Sequence, residues 1–293
     1  MKIGVSSYSF SQLVKSGAMK QLDVVAKAKE MGFDAIEFSA FALPEGETPL
    51  SFAPRVKEEC ERVGIEIVNY TIFGDMLNGC NGNLEDEIER LKGEVRVAQV
   101  LGSPGIRHDA TWGFPEDYTG VRSFDAVLPR LAEGCRAVTE YAEDLGIRTM
   151  VENHGFFAQD SDRVEKLVTA VDHPNFGLLV DMGNFLCVDE APEKALGRVM
   201  PYAFHVHAKD FHVKSGNGPD PGSGWFTSRA GNYLRGAIVG HGVVPIVQCL
   251  KIMKGKGYDG VLSIEFEGME EPLKGISLGL ENLRKYVTQV YGD

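Results

Sequence analysis

The chain of 293 residues predicts one α/β domain spanning 1–293, a (β/α)8 or TIM barrel. Three observations point there: a recurring apolar-Gly-apolar joint, short β-branched runs between amphipathic stretches, and polar residues at the ends of those runs. The joints are Met31-Gly32-Phe33, Val63-Gly64-Ile65, Leu145-Gly146-Ile147 and Lys256-Gly257-Tyr258, with Leu101-Gly102-Ser103 as a weaker fifth. Glycine there fits a helix C-cap in the left-handed conformation, followed at once by a strand. A doubly wound open sheet is the alternative, but no Gly-x-Gly-x-x-Gly follows the first strand.

In chain order the strands are expected at 2–7, 34–38, 65–70, 104–108, 147–152, 176–181, 203–208 and 260–266. The runs at 147–151, 176–180, 203–206 and 261–264 are rich in β-branched and aromatic residues, as strands buried on both faces are. Helices fall near 18–31, 51–63, 84–101, 123–145, 161–171, 191–199, 243–256 and 272–290. Helix 84–101 shows the pattern, with Leu84, Ile88, Leu91, Val95, Ala98 and Leu101 at spacings of three and four. Two connections are long: 71–83, and about 209–242, which holds Gly216-Asn217-Gly218 and Gly222-Ser223-Gly224 beside Trp225, Phe226 and Tyr233. Both follow strands and so belong on the catalytic face, the second read as a lid or as an intersubunit arm of a homo-oligomer.

Composition narrows the function. No apolar run approaches the roughly 20 residues of a membrane span, and Met1-Lys2-Ile3 leads into a strand without a signal-peptide pattern, so a cytoplasmic protein is expected. Cys60, Cys80, Cys135, Cys187 and Cys249 are odd in number and scattered, which fits neither a disulfide framework nor a zinc ribbon. The net charge of -12 repels nucleic acid and anionic membranes and leaves small molecules as partners.

Four strand ends carry the chemistry: Glu152 in Val-Glu-Asn-His, Asp181 in Val-Asp-Met-Gly-Asn, His207 in His-Val-His-Ala-Lys-Asp and Glu265 in Ser-Ile-Glu-Phe-Glu. Strand alternation turns Ser263, Glu265 and Glu267 to one face and Leu262, Ile264 and Phe266 to the other. Three acids brought together repel unless a cation intervenes, so the set reads as a site for one divalent ion. Its donors favour Mn²⁺, Mg²⁺ or Co²⁺ and admit Zn²⁺. Glu152 and Glu265 also suit removal and return of a C–H proton.

His154, Lys209, Asn184, His108 and Glu37 are candidates for contact with substrate. Glu37 and Arg107, at the ends of the second and fourth strands, also read as a structural ion pair. Asp210 and His212, as Asp-x-His, are a weaker candidate for a second metal. Arg229 and Arg235 read as solvated loop charges, with phosphate contact as the alternative.

These four motifs, with His241-Gly242-Val243-Val244, resemble the xylose isomerase-like barrels, the sugar phosphate isomerase/epimerase group, over essentially the whole chain. The resemblance implies a metal held by Glu152, Asp181, His207 and Glu265. It also implies an acid/base role for the two glutamates, and a carbohydrate substrate. The sequence departs from the ketose 3-epimerase branch at Ala158 and Asn184, where that branch has a substrate-binding glutamate and a histidine. It departs from the DNA-repair endonuclease branch at Asn184. The reaction expected is isomerisation or epimerisation through an enediolate. The alternatives are a lyase or dehydratase on a keto-sugar, keto-glycoside or cyclitol, and a non-catalytic sugar-binding barrel.

Overall fold

The computed structural model describes residues 1–292. Eight parallel strands close into a barrel: β1 (Ile3–Ser6), β2 (Ala35–Ser39), β3 (Glu66–Thr71), β4 (Gly105–His108), β5 (Arg148–Glu152), β6 (Phe176–Asp181), β7 (Ala203–Ala208) and β11 (Leu262–Ile264). They follow one another around the barrel in sequence order, and β11 pairs with β1 to close it. Between them run eight main helices: Gln21–Met31, Pro49–Val63, Leu84–Leu101, Phe124–Glu143, Ser161–Val171, Pro192–Val199, Ile246–Gly255 and Pro272–Tyr291. All five joint glycines adopt the positive φ that their place at a helix end requires.

The two faces of the strands differ in chemistry. Val5, Ile36, Ile106, Val151, Val180, Val206 and Ile264 belong to the main hydrophobic core with residues of the surrounding helices. The opposite positions, Glu37, Asn69, Arg107, Glu152, Asp181, His205, His207 and Ser263, are buried polar groups. Gly4 and Gly105 make room among them, since a Cβ on either would lie within 3.0 Å of Ser263 Oγ or Met150 Cε. A polar interior of this kind is costly unless its groups satisfy one another or an ion, and that requirement shapes the site.

The stretch 209–242 is not an irregular loop. It folds into a separate antiparallel sheet of β8 (Asp210–Lys214), β9 (Phe226–Thr227) and β10 (Tyr233–Ala237), ordered β8-β10-β9. Phe211 and Leu234 pack with Cys187 in a small cluster of their own, and the cations of Lys214 and Arg235 lie 5.0 and 5.5 Å from the Trp225 ring. No helix among the described residues is long and apolar enough to cross a membrane.

Candidate metal centre

Glu152 and Asp181 end β5 and β6, His207 is the next-to-last residue of β7, and Glu265 follows β11. One donor atom of each lies within 4.8 Å of all the others. That is the greatest separation allowed between ligands about 2.0–2.4 Å from a shared ion. His207 Nδ1 is 3.6 Å from Asp181 Oδ2, 3.8 Å from Glu265 Oε1 and 3.9 Å from Glu152 Oε1. Asp181 Oδ1 accepts the backbone N–H groups of Gly183 and Asn184, at 2.7 and 2.9 Å. Its Oδ2 and His207 Nδ1 are buried without a hydrogen-bond partner. Two such unpartnered atoms, converging with carboxylate oxygens of Glu152 and Glu265, fit a divalent cation.

Glu37 holds the far side of the imidazole. Its Oε1 is 2.6 Å from His207 Nε2 and its Oε2 is 3.0 Å from His205 Nε2, which also meets Ser263 Oγ at 3.0 Å. Burial would raise the Glu37 carboxyl, but the imidazoles of His207 and His205 hold it well below the usual carboxylate range. Burial would lower His207, yet Glu37, Glu265 and Asp181 raise it well above the ordinary histidine value. A carboxylate on the outer nitrogen fixes the ring and leaves Nδ1 for the ion. Glu37, expected as a contact for substrate, is fully buried against these imidazoles and does not border the cavity above them.

Arg107 does not pair with Glu37. Its guanidinium reaches Glu152 Oε2 at 2.7 Å and Asp109 Oδ1 at 2.9 Å, and Asp109 Oδ1 in turn meets His154 Nδ1 at 2.8 Å. On the opposite flank Lys209 Nζ lies 2.6 Å from Glu265 Oε2 and 3.3 Å from Asn184 Oδ1. Asn184 Nδ2 donates to Glu152 Oε1 at 2.9 Å. Asn184 therefore ties one glutamate to the lysine beside the other, from a buried position. Burial pushes the Glu152 carboxyl up, against the pull of Arg107 and His207.

Two other candidates move away from the site. His108 is fully buried, its Nδ1 against the Asp109 carbonyl oxygen at 2.9 Å, and it does not border the cavity. Asp210 is a fold-holding residue, as its carboxylate accepts the N–H groups of Phe211, Gly240, Gly242 and Val244 at 2.8–3.0 Å. Neither ligand cluster among the described residues includes Asp210 or His212.

A cavity of about 410 Å³ opens above the cluster, with Glu152, Glu265, His154 and Lys209 in its wall. Tyr8, Phe73, Asp109 and Trp112 also line it and were not foreseen from sequence. They follow β1, β3 and β4, so the strand-end rule that found the ligands would have found them if applied to those strands too. Of 209–242 only Lys209 borders the cavity. The exposed aromatics at the mouth are Phe73 and Trp112, with ring centroids 6.1 Å apart.

A family model described as xylose isomerase-like TIM barrel matches residues 25–286. An uncharacterised protein of Methanocaldococcus jannaschii is 27% identical over 94% of this chain and 86% of its own length. An inosose dehydratase of Clostridium beijerinckii is 27% identical, over 47% of this chain and 46% of that one. Among solved structures, a 3-keto-D-glucoside 4-epimerase from E. coli superposes with a TM-score of 0.71 at 17% identity, covering 97% of this chain and 99% of the other.

Proposed function

The chain belongs to the xylose isomerase-like TIM barrel family, and we propose that within it the chain is a divalent-metal-dependent isomerase or epimerase of a small carbohydrate. One observation carries this reading. Glu152 and Glu265 each turn Oε1 toward the ligand cluster and pair Oε2 with a separate buried cation, Arg107 for one and Lys209 for the other. Two glutamates so placed, on strands three places apart around the barrel, flank a substrate from two sides.

The hard donor set favours Mn²⁺, Mg²⁺ or Co²⁺. Such an ion, held by Glu152, Asp181, His207 and Glu265, would draw charge from a substrate carbonyl and acidify the adjacent C–H. One glutamate then accepts that proton and the other returns one to the enediolate. Lys209 stands ready to donate a hydrogen bond to the developing oxyanion, and Arg107 steadies Glu152 as its charge changes.

The test is incubation of the metal-loaded protein with ketoses, 3-keto-glycosides and keto-cyclitols in D₂O. Exchange of solvent deuterium into recovered isomer or epimer is the expected result, lowered by at least about 10² in Glu265→Gln. No exchange with any of them would refute proton transfer as the chemistry.

A second reading, a lyase that expels water after the same proton abstraction, is favoured by a different observation. The His154 ring borders the cavity with Nδ1 on Asp109, which orients it as an acid for a leaving hydroxyl. The likeness to inosose dehydratases, over about half of each chain, points the same way. An unsaturated product that is lost in His154→Ala would decide for it.

A further inference from the structure

Beside the catalytic cavity, and sharing Trp112 with it, lies a groove of about 330 Å³. The loop after β5 serves both: His154 faces the cavity, and Gly155, Phe156 and Phe157 face the groove. Its lining carries three guanidinium groups, Arg122, Arg163 and Arg229, and no carboxylate. In a chain of net charge -12 this is a local inversion of sign.

The compensation of these charges is incomplete. Arg163 and Arg229 share one carboxylate, Asp160, at 3.3 and 3.0 Å. Arg122 makes no ion pair among the described residues; it donates to the carbonyl oxygens of Pro115, Glu116 and Tyr118. Three cations against one directly paired anion leave the groove positive, with Asp189, which accepts the N–H of Ala230, as the next acid near Arg229. All three arginines are anchored on backbone carbonyls, Arg163 on Phe157 and Arg229 on Phe156, so their positions are set before any ligand arrives.

We propose that this groove is an oxyanion subsite, receiving a phosphate or carboxylate that the substrate carries beyond its reacting carbons. Guanidinium groups fixed in place and short of counter-charge are the usual recognition element for planar or tetrahedral oxyanions. The proposal rests on the adjacent cavity being the catalytic one, and it narrows the substrate class to anionic carbohydrates.

The probe is inorganic phosphate, titrated calorimetrically into the EDTA-treated full-length chain. Saturable binding is expected, weakened at least about tenfold in Arg122→Glu and in Arg229→Glu and largely kept in Arg122→Lys. Melting curves identify any variant that fails to fold, and Arg229→Glu decides if Arg122→Glu is lost. Absence of saturable binding by the unaltered chain, or equal binding by the glutamate variants, overturns the proposal.

Glucose 6-phosphate, glucuronate and glucose then separate the sources. A gain over glucose confined to the first assigns phosphate, and one confined to the second assigns carboxylate; no gain for either overturns the subsite. Phosphate binding that persists in Asp181→Asn, in a sample that takes up no Mn²⁺, keeps the subsite even where the metal reading fails.

Discussion

Asp181 and Asp210 are both fully buried aspartates on the same rim of the barrel, and they are opposites in what surrounds them. Both oxygens of Asp210 are saturated by four backbone N–H groups, which pin the 240–244 turn ahead of helix Ile246–Gly255. Asp181 spends one oxygen on backbone and presents the other, with no hydrogen bond and Lys209 Nζ 3.6 Å away, to His207, Glu152 and Glu265. A buried acid whose lone pairs are all used belongs to the fold. One that is left short, among other acids, is held for an ion.

The largest expected effect follows from that contrast. Asp210→Ala strands four backbone donors, two of them fully buried, and should cost about 4 kcal/mol or more in urea unfolding, whereas Asp181→Asn keeps the backbone acceptor, relieves crowding, and should change metal-free stability by less than about 1 kcal/mol. Equal losses would erase the distinction. Next comes Gly242→Ala, whose Cβ would collide with Asp210 Oδ1 and the Phe211 carbonyl oxygen. It should cost about 2 kcal/mol by the same measurement, with Mn²⁺ uptake intact. Smaller still is Glu37→Gln, which removes the charge that orients the His207 ring. Mn²⁺ affinity should fall about tenfold with little change in melting temperature, and unchanged affinity would make Glu37 a space-filler.

The barrel was legible because strands buried on both faces are written as apolar runs and because five of the joints between helix and strand carry a glycine of positive φ. The observed strands start and stop within about two residues of expectation for the same reason. Strand alternation likewise placed the four donors on one face. The partners of those donors were not legible, since they depend on pairing around the closed barrel and on register shifts. Shifts at Ile36/Glu37 and Leu178/Leu179 decide which polar residues share a layer, and nothing local in the sequence marks them. Glu37 thus meets His207, and Arg107 meets Glu152, where an ion pair between Glu37 and Arg107 was the simpler expectation. The sheet in 209–242 did have a signal, the alternation of Phe211 and Val213 with Asp210, His212 and Lys214, which the flanking glycines masked.

The central claim is that the unpartnered donors of Asp181 and His207, with Glu152 and Glu265, hold one divalent ion. Calorimetric titration of the EDTA-treated chain with Mn²⁺ tests it most directly, beside Asp181→Asn and Asp210→Asn as paired controls. The account predicts one ion per chain in the unaltered protein and in whatever Asp210→Asn remains folded, and at least about a hundredfold weaker binding in Asp181→Asn. No saturable binding by the unaltered chain, or binding equal in Asp181→Asn, would contradict it.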